Sequence, residues 1–334
     1  MKKIAILGGG AWGTALAIAL TRSSRAHRLT LWAHSADVVE MLSARRVNEI
    51  YLSGFALPAD VEVTGSLEQA IAGAGIVLGV TPSAHAREIY RAIRPLAEPG
   101  SIFVSATKGL EPATHARISE VIAEEMVLDS SARIAVLSGP SFAAEVAAGD
   151  PTAVVIASAG VKLASEIQEE FSGPRFRLYT NDDVTGTEIA GAVKNVIAIA
   201  AGICTGLELG TNAVAALITR GLAEMTRLAV ALGGRRETLS GLAGVGDLIL
   251  TATGELSRNR SVGIELGKGR ELGEILGSTR RVAEGVGSAA ATLELARRTK
   301  VEMPITEQVH AVLTAGRVTQ DAIRELMERR LKQE

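Results

Sequence analysis

The chain has 334 residues, 47% hydrophobic and 22% charged, with a formal net charge of −2. That length suggests about two domains with room for a sizeable core, and the composition excludes wholesale disorder. With 35 Lys and Arg against 37 Asp and Glu there is no basic excess for phosphate backbones, and 3% aromatics are too few for base stacking, so no nucleic-acid partner is expected.

Lys2-Lys3 precedes an uncharged stretch, Ile4 to Thr21, that superficially resembles a signal or a membrane span. Gly8-Gly9-Gly10 and Gly13 interrupt it, and Pro82 and several glycines interrupt the uncharged Gln69–Ala86. Both read as buried parts of a sheet-and-helix layer, with no integral membrane span. Short Val/Ile/Leu runs follow at Arg28–Trp32, Val61–Val63, Ile76–Val80, Ile102–Ser105, Ile134–Leu137, Ala153–Ala157 and Phe176–Tyr179. Continuous apolar runs fit strands covered on both faces, as in a mostly parallel sheet. Helical patterns at Ala36–Arg46, Ala84–Arg94 and Thr114–Met126 lie between them, so the spacing predicts a doubly wound, Rossmann-like α/β domain over residues 1–180.

Beyond Asn181 strand-like alternation disappears. Val184–Leu207, Ala213–Leu232, Leu242–Ala252, Arg258–Leu266, Ser288–Thr299, Ile305–Ala315 and Thr319–Lys332 read as helices, an all-α domain over 181–334. Arg220, Glu224 and Arg227 share one helix face.

The first strand runs straight into Gly8-x-Gly10-x-x-Gly13 and a helix former, which is the context the dinucleotide fingerprint requires. Gly8 permits the tight turn, Gly10 lets the backbone approach a pyrophosphate, and Gly13 lets helix pack on strand. The helix N-terminus then offers N–H groups to the phosphates. The second strand ends in Ala33-His34-Ser35, where an NAD-selective site places a carboxylate on the ribose 2′-OH. His34 and Ser35, with Arg45 or Arg46 near, suit a 2′-phosphate instead, so NADP is favoured over NAD.

Lys194 sits among small and apolar residues, where a charge is costly unless paired or functional. Desolvation there would prepare an amine for proton transfer, and the plain alternative is a lysine reaching the surface. Asp247 and Thr251 are spaced i,i+4 and share a helix face. Ser257-Arg258-Asn259-Arg260 is a compact donor cluster suited to a phosphate dianion, or else a solvated basic turn. Lys108 and Gly139-Pro140-Ser141 each follow a strand, where α/β loops meet ligands. Cys204 reads as a small buried side chain, and the scattered histidines give no metal site.

Eight segments in order carry a resemblance over nearly the whole chain: GGGAWGTALA (8–17), SATKGLE (105–111), SGPSFAAE (138–145), GAVKNVIAIAAG (191–202), NAVAALITRGLAEM (212–225), GLAGVGDLILT (241–251), SRNR (257–260) and VEMPIT (301–306). With them the chain resembles the bacterial-type NAD(P)-dependent glycerol-3-phosphate dehydrogenases. The resemblance implies Lys194 as proton donor and acceptor, with Asn195, Asp247 and Thr251 around it. It implies substrate contacts at Lys108, Gly139, Ser141, Lys194, Asp247, Ser257, Arg258 and Asn259. Cofactor contacts fall, besides the glycine loop, on Ala11, Trp12, His34, Lys108, Ala143, Arg258, Val282 and Glu284. Family members commonly carry Ser where this chain has Ala11, so one hydroxyl contact near the pyrophosphate is missing while the backbone N–H contacts remain. The implied substrates are dihydroxyacetone phosphate and sn-glycerol 3-phosphate, the implied role is in glycerophospholipid synthesis, and a cytoplasmic enzyme, possible as a homodimer, is expected. A ketopantoate or hydroxyacid reductase would not need the phosphate cluster, and a non-catalytic dinucleotide sensor would need neither Lys194 nor Asp247.

Overall fold

The computed structural model describes residues 1–127, 133–278 and 282–330, and the chain divides into two compact units, Met1–Glu188 and Ile189–Glu334. The first unit opens with β1 (Lys2–Leu7), α1 (Ala11–Thr21), β2 (His27–Trp32), α2 (Ala36–Arg45), β3 (Val47–Asn48), β4 (Leu52–Ala56), β5 (Glu62–Thr64) and α3 (Leu67–Ile71). It continues with β6 (Ile76–Gly79), α4 (Ala86–Ile93), β7 (Ile102–Ser105), α5 (Ile118–Glu125), β8 (Ile134–Ser138), α6 (Ala143–Ala148), β9 (Thr152–Ala157), α7 (Val161–Phe171) and β10 (Phe176–Asn181).

Eight of these strands form one sheet in the order β10-β9-β8-β7-β6-β1-β2-β5. Strand β1 lies between β2 and β6, parallel to both, so the strand order reverses at its carboxyl end. That reversal is where open α/β sheets bind ligands. The apolar run of β1 serves two cores: Ile4 and Ile6 face a cluster with Leu16, Leu31 and Ile156, while Ala5 and Leu7 face Tyr90, Phe103 and Ile122. Side chains alternate across a strand, so burial on both faces leaves no room for a polar position.

Three details depart from the pattern of the sequence. Strands β8 and β9 pair antiparallel, with Val136 opposite Ala157. The six residues of α6 rise only about 9 Å, too little to carry the chain back along β8 for a parallel return. Residues 47–56 form a separate two-stranded antiparallel ribbon, β3 and β4. And the helix expected from Thr114 starts only at Ile118, because Arg117 is held in a bridge to Leu110.

The second unit is helical: α8 (Val184–Gly206) starts in the first unit and runs on into it, followed by α9 (Thr211–Ala231), α10 (Arg236–Leu239), a wide π-type turn at Leu242–Gly246 and α11 (Asp247–Thr253). Then come α12 (Arg258–Gly267), α13 (Leu272–Gly277), α14 (Glu284–Thr299), α15 (Pro304–Ala315) and α16 (Thr319–Met327). The helix expected at Thr319–Lys332 thus ends at Met327, and Leu331 and Lys332 lie outside the described residues. Among the described residues α8 is the one helix long and apolar enough to cross a membrane, and 89% of its apolar window is buried, as in a core helix. It crosses α12 at backbone contact: a Cβ on Gly202 would lie 2.1 Å from Arg260 O, and one on Gly263 would lie 2.0 Å from Ile199 O. Glycine at this crossing brings the start of α12 against α8.

Glu224 of α9 is 1% exposed and does not pair as a surface charge would. Its carboxylate accepts the Ile305 and Thr306 N–H groups at 2.7 and 3.3 Å and the Thr306 hydroxyl at 3.2 Å, capping α15 from another helix. Burial pushes its carboxyl up to about 7, against the downward pull of those donors and Arg227. The folded chain therefore holds this proton more tightly than the unfolded chain, and stability falls as pH rises from about 4.5 to about 7. The penalty is about 3 kcal/mol. In Glu224→Gln, urea unfolding followed across that window should lose this contribution to the slope. An unchanged slope would place the titration elsewhere.

Candidate active site

The glycine loop closes the end of β1. Gly8 has φ +137, and a Cβ there would lie 2.5 Å from Val80 O; a Cβ on Gly13 would lie 1.8 Å from Gly8 O. Both positions exclude any other residue, for the turn and for helix-on-strand packing respectively. Gly10, the N-cap of α1, faces open space, with nothing within 4 Å of its missing side chain and no side-chain cap on the helix. The first turn of α1 is thus a cradle for an anion, which fits a dinucleotide pyrophosphate. Ala11 and Trp12 open α1 half-buried, and the Trp12 Nε1–H is buried without a partner. A buried donor left unsatisfied is costly, so it too suits a ligand acceptor.

At the end of β2, His34 is exposed with its ring 6.0 Å from that of Trp32. The nearest carboxylate in sequence, Asp37, accepts the Val38 N–H at 2.9 Å. Arg46 does not reach for a ribose phosphate: its guanidinium donates to Leu57 O, Pro58 O and Val61 O. That part of the sequence expectation gives way to a structural role, while Arg45 remains exposed.

The loops after β7 and β8 meet. Lys108 Nζ donates to Gly139 O at 2.6 Å and to Ser141 Oγ at 3.1 Å, and Ser141 Oγ donates to Gly139 O at 2.9 Å. Gly139 takes φ +131, a conformation that favours glycine. Thr107 ties the same loop to Thr81 O at 2.8 Å, next to the Val80 carbonyl that packs on Gly8. Ala143 begins α6 just beyond and packs on the core.

In the second unit Lys194 is 5% exposed and Asp247 is 0% exposed. The Lys194 ammonium donates to Asp247 Oδ1 at 2.7 Å and to Thr251 Oγ1 at 2.8 Å. Thr251 in turn donates to Asp247 O at 2.6 Å, which turns its oxygen towards the lysine. Lys194 therefore does not reach solvent; its burial is compensated by a carboxylate on the first turn of α11, where the helix dipole favours negative charge.

Asn195, next along α8, accepts from Asn259 Nδ2 at 2.9 Å, and Asn259 Oδ1 accepts the Gly285 N–H at 3.0 Å. Ser257 is the N-cap of α12, its hydroxyl accepting the Arg260 N–H at 3.2 Å, and Arg258 stands exposed on the first turn. Glu284 starts α14 beside Gly285, and Val282 precedes it, exposed. Within the first unit the structure groups Gly8, Gly10, Ala11, Trp12 and Gly13, and Lys108 with Gly139 and Ser141; within the second it groups Lys194, Asp247 and Thr251, and Asn195 with Asn259. His34, Ala143 and Val282 stand outside these hydrogen-bonded groups.

The sequence reading missed a buried carboxylate. Glu188, six residues before Lys194 on α8, is 5% exposed and takes Ser119 N at 2.8 Å, Ser119 Oγ at 2.5 Å and Arg117 Nη1 at 3.0 Å. Burial raises its carboxyl above the ordinary value, with Arg117 and Ser119 pulling the other way. An acidic residue in a mostly apolar helix, six positions ahead of Lys194, was the available signal.

Comparison with known proteins meets this geometry from outside. Two family models match, one described as NAD-dependent glycerol-3-phosphate dehydrogenase N-terminus over residues 3–164, the other as its C-terminus over residues 183–324. A relative from Koribacter versatilis named glycerol-3-phosphate dehydrogenase [NAD(P)+] is 56% identical over 330 residues, covering 98% of each chain. One of the same name from Geobacter sulfurreducens is 49% identical over 333 residues, 100% of this chain and 99% of its own. The solved glycerol-3-phosphate dehydrogenase of Coxiella burnetii superposes with a TM-score of 0.93 at 42% identity, over 98% of this chain and 99% of that one. A glycine cradle at the sheet's reversal, a buried lysine on an apolar helix and matches that run through both units agree: the chain belongs to the NAD-dependent glycerol-3-phosphate dehydrogenase family.

Proposed function

We propose that the protein interconverts dihydroxyacetone phosphate and sn-glycerol 3-phosphate with NAD(P)H, the dinucleotide held by residues 1–180 and the proton chemistry carried by residues 181–334. The observation that supports this most directly is the buried Lys194 ammonium, bonded to both Asp247 and Thr251. A dinucleotide sensor has no use for such a group. The Arg258–Asn259 cluster favours a phosphorylated substrate over the plain hydroxyacids of related reductases.

When bound, the reduced nicotinamide supplies the hydride that adds to the carbonyl carbon. As negative charge develops on the carbonyl oxygen, Lys194 donates a proton to it, and in the reverse direction the amine takes the hydroxyl proton. Asp247 and Thr251 hold two of the ammonium protons and so fix where Nζ points. The ammonium also stabilises the developing alkoxide before the proton moves, in a site that excludes water. Arg258 and the amide of Asn259 bind the phosphate at the first turn of α12, aided by that helix's dipole. Asn259 is aimed for this by Asn195 and the Gly285 N–H. Lys108, Gly139 and Ser141 are assigned to the substrate as well, with Lys108 also serving the cofactor. The absence of a carboxylate directly after β2 favours NADP, with His34 beside the 2′-phosphate. The product is the phosphorylated glycerol backbone used in glycerophospholipid synthesis, and the enzyme works as a cytoplasmic protein.

Purified protein given dihydroxyacetone phosphate should consume NADPH, followed by its absorbance, faster than NADH. Cofactor binding without turnover would return the reading to a sensor. Lys194→Ala should lower kcat by about 10²- to 10⁴-fold while cofactor affinity holds, since only the proton transfer and its field are lost; near-normal turnover would end the assignment. Arg258→Ala should raise KM for the phosphorylated substrate about ten-fold or more, as expected for loss of a charge-assisted pair. An unchanged KM would remove Arg258 from the phosphate site.

A further inference from the structure

The segment Ser105–Glu111 ends in an acidic residue to which the reaction above gives no part. The β-ladder stops at Ala106, whose N–H bonds Gly79 O at 2.8 Å, so no regular structure holds Lys108. Instead the lysine lies between two anchors. On one side Thr107 donates to Thr81 O at 2.8 Å. On the other, Glu111 takes both arms of the Arg87 guanidinium, Oε1 from Nε at 2.5 Å and Oε2 from Nη2 at 2.9 Å. Both anchors come from one short stretch, the connection after β6 and the start of α4.

The second anchor is built for direction. Glu111 is 4% exposed, and its carboxylate also receives the Thr114 hydroxyl. Its backbone is held as well, its N–H on Ala116 O at 3.0 Å and its carbonyl taking the His115 N–H at 2.9 Å. Arg87 is itself fixed by Glu124 at 2.8 Å and Glu125 at 2.9 Å. The guanidinium beside Glu111 holds its carboxyl below the ordinary range, so the pair stays charged at neutral pH. A forked pair sets orientation as well as distance, which a single point contact does not.

We propose that Glu111, gripped by Arg87, is a positioning residue for the reaction, fixing the loop that aims Lys108 at the substrate. This rests on the reading of Lys108 as a substrate contact. The Arg87–Glu111 fork acts only through that lysine and touches neither substrate nor cofactor.

The test uses the full chain turning over dihydroxyacetone phosphate at saturating NADPH. Displacing a binding group by about 1 Å costs up to about 100-fold, so Glu111→Gln should lower kcat/KM about 10- to 100-fold. NADPH affinity, read by fluorescence titration, should stay close to wild type. Arg87→Lys, which keeps the charge and loses the fork, should show the same loss, and Glu111→Asp should recover part of it. Arg91→Ala removes a neighbouring, exposed partner of Glu125 and should leave kcat/KM unchanged. The deciding measurement is the double variant: with Lys108→Ala already present, Glu111→Gln should cost nothing further in kcat/KM. Equal losses with and without Lys108, or wild-type kinetics in Glu111→Gln and Arg87→Lys, would overturn the proposal. Should Glu111→Gln not fold, Arg87→Lys carries the same comparison. A wild-type protein without turnover sinks the activity itself, a different result from an active enzyme indifferent to Glu111.

Discussion

The contact on which the proposed chemistry depends is the one between the Lys194 ammonium and Asp247, 2.7 Å apart with side chains 6% and 1% exposed. Taking two charges out of water costs several kcal/mol per ion, and their attraction only roughly offsets that. Such a pair adds little to stability, and its place in the interior of an apolar bundle fits the proposed role in proton transfer. Much of the surrounding sequence can be understood as the means of keeping it satisfied. The glycine-rich Gly241–Gly246 forms a wide turn that delivers Asp247 at the first position of α11. Thr251, one turn on, accepts a second hydrogen bond from the ammonium and donates its own to the Asp247 carbonyl.

The first unit applies a different device to a similar problem. A dinucleotide presents two phosphates, and here the backbone, not side-chain charge, is shaped to meet them. Gly10 leaves the helix N-terminus uncovered, and Gly8 and Gly13 allow the chain to pass closely enough for that terminus to sit at the strand end. Fixed N–H dipoles need no reorganisation when the ligand arrives, whereas lysine and arginine side chains lose rotamer freedom. Lys108 is the exception, a long side chain used at this edge, and its loop is anchored by side chains on both sides.

How much of this the sequence discloses follows from the range of each signal. The strands are legible because burial on both faces leaves uninterrupted Val, Ile and Leu, and the glycine loop because its spacing reflects backbone geometry within six residues. The reversal of β9 is not, since hydrophobic pattern carries no strand direction; only the short length of α6 hints at it. Periodicity likewise cannot show where the helix after Thr114 begins, because the bridge from Leu110 to Arg117 decides it. Charged residues are harder still. Lys194 alone in an apolar helix admits either a surface or a buried reading, and the partner that settles it lies 53 residues away. Glu224 reads as a member of a helix-face charge cluster, yet its main partners are N–H groups 81 and 82 residues on. Arg46 looks free for a phosphate until three backbone carbonyls claim it.

The asparagine pair shows why helices suit the second unit's chemistry. Asn195 follows Lys194 directly on α8, so its position fixes the turn that carries the lysine. Its side-chain oxygen accepts a hydrogen bond from Asn259 Nδ2 on α12, and Asn259 Oδ1 in turn accepts the first-turn N–H of Gly285 on α14. Three helices are thereby linked by two bonds, and Gly285 permits it: a Cβ there would lie 2.6 Å from Asn195 O. The glycine contacts of α8 with α12 hold the same crossing from below. A proton donor and a phosphate-binding turn set on separate loops would drift relative to each other by more than hydride transfer tolerates. Joined through buried amides whose donors and acceptors are matched, they keep one spacing, and under the proposed reaction that spacing selects a substrate with a carbonyl a fixed distance from its phosphate.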